Sequence, residues 1–197
     1  MIKINTATQF PISETLFVFA LESEAGTAFD HIHKITTGIG KVNAAIELTK
    51  AINKNKPQLI VNLGSAGGIG FNKGEIICCT RFIQRDMDVQ GLGFQKFQTP
   101  LSDIPVVLEN GLKMDGLKEG ICGSGDSFEM NHINTEYNVI DMEAYPLALI
   151  ALQEKIPFLC LKYISDDAGS DAANDWAVQV HLASEAFRTI IFAEENR

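Results

Sequence analysis

The segment that most constrains the fold of this chain is "QLIVNLG", Gln58 to Gly64, which leads straight into the glycine-rich "GSAGGIG". A near-continuous apolar run has no polar side to turn towards water. It therefore belongs in the middle of a parallel sheet covered on both faces, and the glycines mark where it leaves the core. "PFLCLKYIS", from Pro157, has the same character. Two such strands need helices above and below them.

The rest of the chain supplies those helices and further strands. The apolar "TLFVFAL" predicts an early buried strand, left through "ESEAGTAFD" by a loop or short helical turn. The alternating "HIHKITT" predicts a second strand, and "GIGK" feeds an amphipathic helix with Val42, Ala45, Leu48 and Ile52 on its apolar stripe, stopped at Pro57. Beyond the central run, "GEIICCTRFI" reads as a strand, "QRDMDVQGLGFQKFQTP" as a long loop, and "IPVVL" as a weaker strand. "KEGICGSGDSFEM" reads as a strand ending in another glycine-rich turn, "NVIDM" as a short strand, and "EAYPLALIALQEK" as a helix that tolerates Pro146 near its start. A last helix from Ala172 to Glu195 carries Trp176, Val180, Ala183, Phe187 and Ile190 as its stripe. Strands alternating with helices define an α/β protein. The expectation is a single domain over residues 1–197, with a central mixed, largely parallel twisted sheet flanked by helices.

Charge narrows the range of partners. A net charge of −9 with no cluster of Lys or Arg excludes a phosphate-backbone binder, so no nucleic acid is expected. The start, "MIKINTATQFPISE", lacks the apolar core of a signal peptide, and no apolar run approaches the ~20 residues that span a bilayer. A cytoplasmic protein with no membrane partner is the expectation. Cys78, Cys79, Cys122 and Cys160 sit in apolar surroundings without CxxC spacing. They read as small buried hydrophobes in a reducing compartment, with a redox role for Cys78 and Cys79 as the alternative.

Cofactor motifs fail on inspection. "GIGKVN" has Asn43 where the dinucleotide fingerprint needs its third glycine, no acid follows at the required distance, and no GxxxxGK[ST] occurs. No cofactor is expected. His31 and His33 share a side of the "HIHKITT" strand, but no third ligand suggests itself. An exposed pair is the simpler reading, and no metal is expected.

The acids are more informative. In α/β sheets ligands bind outside the carboxyl ends of strands. Here those ends carry Glu22 and Glu24, then Gly64, Ser65 and Ala66, then Gly125, Asp126 and Phe128, then Met142 and Glu143, then Ser165 and Asp166. Helix capping accounts for Glu22 or Asp171. It accounts less well for Asp166, which follows "YIS" and precedes a glycine loop. Carboxylates converging on one pocket suit a reaction with a cationic transition state and a leaving group that must be protonated. Cleavage of an N-glycosidic bond is such a reaction. These residues permit it without requiring it.

Five segments in order, "GIGKVNA", "VNLGSAGG", "GSGDSFE", "IDMEAYPLALIA" and "YISD", resemble the nucleoside phosphorylase and nucleosidase superfamily. The nearest likeness is to the 5′-methylthioadenosine/S-adenosylhomocysteine nucleosidases, from about Phe17 to the final helix. The resemblance implies that Glu24 activates the attacking water and that Asp166 delivers a proton to purine N7. It implies that Glu143 grips the ribose hydroxyls with Met142 beside the sugar, that Phe128 stacks on the adenine, and that the backbone of Glu129 reads the purine edge. Ser65 and Ser165 fall on small polar residues of the pocket, and Trp176 on the side of the 5′-substituent. The resemblance also implies a homodimer. To act as an acid near neutrality, Asp166 must keep its proton above the ordinary ~3.9, and burial with a neighbouring negative charge pushes that way.

The chain departs from the family pattern in places. The stretch between Glu24 and Gly38 is short, which implies one element fewer near the N-terminus; Lys162 stands where bacterial members often carry Arg; and "QRDMDV" replaces a "HDADV"-like loop. The expected reaction is hydrolysis of a purine nucleoside, 5′-methylthioadenosine and/or S-adenosylhomocysteine, releasing adenine. Phosphorolysis is the alternative. It needs an anion site, for which Arg81 and Arg85 are the nearby cations, while the glutamates of "LESEAG" repel phosphate. A non-catalytic nucleoside-binding protein of the same fold is the third reading.

Overall fold

The computed structural model describes residues 1–130, 134–169, 172, 176 and 179–192. A small antiparallel pair, β1 (Ile2–Lys3) and β2 (Gln9–Phe10), precedes β3 (Thr15–Phe19), the single-turn α1 (Glu22–Ala25), β4 (Lys34–Thr36) and α2 (Lys41–Lys54). Then come β5 (Leu59–Gly68), β6 (Ile76–Gln84), β7 (Leu108–Glu109), β8 (Lys118–Ser124), β9 (Val139–Asp141), α3 (Ala144–Gln153), β10 (Phe158–Asp166) and α4 (Ala183–Ile191).

The strand order is β10-β6-β8-β9-β5-β3-β4, with β7 on β6, and β10 also pairs with β5. That extra pairing closes five of the strands into a ring. β5 lies parallel to β3 and β10, and antiparallel to β9; β6 lies parallel to β8 and antiparallel to β10. The α/β class and the mixed sheet match the sequence reading, while the closure is additional to it. It depends on β5 serving three neighbours: one edge takes β10 along its length, while the other takes β3 at Leu59–Asn62 and β9 at Gly67 and Gly68. Gly64, Gly67 and Gly68, read as part of a turn, thus lie in the second half of the strand. A Cβ on Gly68 would fall 2.7 Å from Ile164 Cδ1, so only glycine lets β10 approach there.

The apolar runs are buried on both faces, as a covered sheet requires. Leu16, Val18 and Ile60 pack towards α2 and α3, while Phe17, Phe19, Leu59, Val61 and Leu63 pack towards α4. On α2 the buried residues are Ala44, Leu48 and Ile52, four apart. Val42, expected on this stripe, is 67% exposed. It lies two residues, about 200°, from Ala44 and so on the opposite side. Ala45 is only half-buried.

The strand expected over "HIHKITT" is confined to Lys34–Thr36, which leaves His31 and His33 outside it and exposed. The final helix is interrupted: residues 172, 176 and 179 are helical, a 3-10 turn spans Val180–Leu182, and α4 follows with Ala183, Phe187 and Ile191 buried. Asp171, with its expected cap, and the end of that helix lie outside the described residues. All four cysteines are buried and unpaired, and burial raises the Cys78 thiol to about 11, as expected of inert core residues. Among the described residues no helix is long and apolar enough to cross a membrane.

Candidate active site

The carboxyl ends of β3, β5, β9 and β10 open into one cavity of about 340 Å³. Glu24, Ser65, Phe128, Glu129 and Met142 line it, as do Glu143, Ser165, Asp166 and Trp176. The nine residues to which the resemblance assigns a place in the pocket therefore reach the same space, whereas Glu22 and Asp126 do not line it.

Glu24 stands in the single turn α1 and is buried. Its Oε2 accepts the backbone N–H groups of Ala20 (3.2 Å) and Leu21 (3.0 Å), and its Oε1 accepts the N–H of Ser65 (2.8 Å) and the Ser65 hydroxyl (2.7 Å). The Trp176 indole N–H donates to Ser65 Oγ at 2.9 Å, so Trp176 belongs to the wall beside Glu24.

Asp166 ends β10 on an irregularity. Ile164 pairs with Ala66 and Asp166 with Gly67, which leaves Ser165 as a bulge and turns both Ser165 and Asp166 inward. Ser165 Oγ lies 2.7 Å from Asp166 Oδ2 and 3.2 Å from Ala66 O, and Ala168 N–H donates to Asp166 Oδ1 at 2.9 Å. Asp167 is exposed and accepts the N–H of Gly169. The two adjacent acids thus lie in different surroundings, Asp166 buried at the end of β10 and Asp167 exposed just past it.

Glu143 accepts the N–H of Gly40 at 2.8 Å, and burial, then the charge of Asp141, raise its carboxyl to about 7. Asp141 and Lys162 form a buried ion pair, Nζ to Oδ2 at 2.8 Å. Burial opposes both charges. Lys162 nevertheless holds the Asp141 carboxyl below its usual range, and Asp141 holds the Lys162 ammonium well above its own. A Cβ on Gly64 would lie 3.3 Å from Glu24 Oε1 and 3.4 Å from Lys162 Nζ, so that glycine opens the space between the carboxylate and the ammonium.

Phe128 is 49% exposed and presents an apolar face to the cavity. Arg85, in the sequence a candidate phosphate ligand only, also lines the cavity. Its signal was positional: it follows Gln84 at the carboxyl end of β6, the kind of place where the acids were sought. The N-terminus of α2 is filled from within the chain, since Gly40 N–H meets Glu143 and Lys41 N–H meets Asp126 Oδ1 at 2.7 Å. In the fingerprint-like "GIGKVN" the N–H groups of Gly40 and Lys41, which a pyrophosphate would use, are thus bonded to carboxylates of the same chain.

A closed mixed α/β sheet with a carboxylate-lined cavity at its strand ends defines a small-molecule-binding α/β protein. Residues 24–191 match the model of the phosphorylase superfamily. The chain belongs to that superfamily, and within it to the 5′-methylthioadenosine/S-adenosylhomocysteine nucleosidases. The nucleosidase of an Exiguobacterium strain (AT1b) is 34% identical over 164 residues, covering 70% of this chain and 68% of its own. That of Listeria welshimeri is 32% identical over 181 residues, covering 80% and 78%. The fold matches the crystal structure of the Helicobacter pylori 5′-methylthioadenosine/S-adenosylhomocysteine nucleosidase with a TM-score of 0.82 over 94% of this chain and 98% of that one, at 16% identity.

Proposed function

We propose that the protein hydrolyses the N-glycosidic bond of 5′-methylthioadenosine and/or S-adenosylhomocysteine and releases adenine. The observation that carries the reading is that two buried carboxylates, Glu24 and Asp166, line the same cavity beside a half-exposed aromatic ring.

In this reading Glu24 takes a proton from water as the water oxygen bonds to C1′. The C1′–N9 bond breaks, its electron pair moves into the purine, and Asp166 protonates N7, so adenine leaves neutral. Glu24 ends with one proton and Asp166 lacks one, and solvent restores both. The hydrogen-bond count at Ser165 supports an acid there: one hydroxyl proton faces two acceptors, Asp166 Oδ2 and Ala66 O. Both contacts are satisfied when the Asp166 carboxyl carries a proton to Ser165 and Ser165 donates to Ala66. Phe128 stacks on the base, the Glu129 backbone meets its edge, and Glu143 accepts the ribose hydroxyls beside Met142.

Phosphorolysis is disfavoured by charge. Among the described residues Arg85 is the cation on the cavity wall, and its Nη groups are bonded within the protein to Gly125, Ser127 and Glu129. Arg81 is exposed and does not line the cavity. The reading takes the chain as one cytoplasmic domain, with one element fewer than the family pattern between Glu24 and Gly38. It also takes the chain as a homodimer, which is supported by the exposed apolar residues Val42 and Ile46 of α2 and Ile39 on the cavity wall.

The test is adenine release from 5′-methylthioadenosine with and without phosphate. Equal release in phosphate-free buffer is expected. Strict phosphate dependence with ribose-1-phosphate chemistry in the product would establish the phosphorylase instead.

A further inference from the structure

Arg85 has no part in the chemistry above, yet its side chain is 5% exposed and lies on the cavity wall. Its guanidinium lies against Gly125: a Cβ there would fall 3.0 Å from Arg85 Cγ and Cζ. Nη1 donates to Ser127 Oγ at 3.0 Å and sits 3.3 Å from Glu129 Oε2, while Nη2 donates to Gly125 O at 3.2 Å and to Ser127 O. The Tyr137 hydroxyl donates to the same Glu129 Oε2 at 3.2 Å. Every one of these guanidinium partners belongs to the turn 125–129, which carries Phe128 and Glu129.

The neighbouring residue holds that turn from the other side. Asp86 Oδ2 accepts the N–H of Asp126 at 2.9 Å, and Asp86 also pairs with Lys41, whose own N–H meets Asp126. Asp126, Ser127 and Phe128 are exposed. Little apolar packing fixes the turn, so its shape rests on these polar ties.

We propose that Arg85 is a positioning residue for the base end of the cavity: it holds the turn 125–129 so that Phe128 and the Glu129 backbone meet the purine together. The proposal rests on the nucleosidase reading for the identity of the base. A turn released from Arg85 has to be ordered when the base binds, and that cost appears as weaker base binding. The sugar end, built on Glu143 and Met142, keeps its affinity. Lysine cannot replace the arginine, because one ammonium cannot span the acceptors that the planar fork reaches.

The experiment compares wild type, Arg85→Ala and Arg85→Lys for KM and kcat with 5′-methylthioadenosine, and for competitive inhibition by free adenine and by 5-methylthioribose. Both variants should raise KM and the adenine inhibition constant about tenfold, with kcat and the 5-methylthioribose constant within about threefold. Equal weakening of both inhibitors, unchanged adenine inhibition, or wild-type behaviour of Arg85→Lys overturns the proposal. Where Arg85→Ala does not fold, Glu129→Gln should give the same pattern in milder form, and no selective loss of adenine overturns it. If the wild type turns over no nucleoside, the nucleosidase reading fails by itself. Adenine binding, followed by Trp176 fluorescence, then decides the role of Arg85: weaker binding to Arg85→Lys sustains it, and equal or absent binding overturns it.

Discussion

The Ser65 hydroxyl donates to Glu24 Oε1 at 2.7 Å while its oxygen accepts the Trp176 indole N–H at 2.9 Å. A hydroxyl has one proton, and the indole occupies a lone pair, so the Ser65 proton is directed to Glu24. With the N–H groups of Ala20, Leu21 and Ser65, four donors hold this carboxylate in one orientation. Glu24→Gln replaces an acceptor with an amide whose NH2 faces these donors. It should lower kcat by about 10²–10⁴-fold, the range for loss of a general base. Ser65→Ala should lower it by about tenfold, since positioning is weakened but the base is retained. Adenine release at saturating substrate measures both.

Asp166→Asn should abolish base release while leaving nucleoside binding within about threefold, because the amide keeps the shape of the carboxyl but has no acidic proton for N7. Trp176 is the chain's one tryptophan and lies on the cavity wall, so its fluorescence reports binding without turnover. Normal turnover in this variant would remove Asp166 from the mechanism.

Glu143 gives the site a pH dependence. Its carboxyl is raised from 4.5 to about 7 by burial, next by Asp141, with Glu24 adding to the rise and Lys162 and the Gly40 N–H opposing it. Ribose hydroxyls donate better to the ionised form, so KM should fall as pH rises through about 7, and Glu143→Gln should flatten that profile. Stability moves the other way. A carboxyl raised on folding binds its proton more tightly in the native state, so its contribution is full below about 4.5 and is lost as pH rises through about 7. Melting of the ligand-free protein across that window should show the decline, and Glu143→Gln should lack it.

The Asp141 and Lys162 pair governs stability. Lys162→Met leaves a buried carboxylate without its cation, which should cost about 3–5 kcal/mol in denaturant unfolding at neutral pH. Lys162→Arg keeps the charge and should cost less. Asp141 in the native protein is held low by Lys162, so its contribution is present above the ordinary carboxyl range and lost as pH falls. Without Lys162, burial favours the neutral acid. The gap between Lys162→Met and wild type should therefore narrow as pH falls towards that range.

Much of this site was legible because its residues sit where apolar runs end. Burial on both faces made β3, β5 and β10 recognisable, and an acid just past such a run, as at Asp166, is hard to explain by packing. Closure of the sheet was not legible. It turns on Gly67 and Gly68 continuing β5 to meet β9, and glycines after a strand look alike whether they turn or extend. Arg85 escaped for a related reason: its partners, from Gly125 to Glu129, lie about forty residues on, and only the parallel pairing of β6 with β8 brings them together. Val42 fits an apolar stripe by composition, yet the spacing of Ala44, Leu48 and Ile52 sets which side is buried and leaves it exposed.

The exposed side of α2 carries the last prediction. Val42 and Ile46 are four residues apart, so they form one apolar ridge, and they are 67% and 46% exposed. Ile39, 49% exposed, lies beside them, and a shallow hollow lined by Ile39, Val42, Asn43, Asp126 and Met142 adjoins the cavity. The homodimer proposed above should cover this ridge with its second copy and so shield the cavity wall at Ile39 and Met142. Sedimentation velocity should then give twice the 21.6 kDa chain mass for the wild type and the single mass for Val42→Asp/Ile46→Asp. The charged variant should also lose affinity for 5′-thio nucleosides, since the rim near Ile39 and Met142 is opened to water. A wild-type chain that sediments at the single mass, with full activity, would show that the ridge serves no such contact.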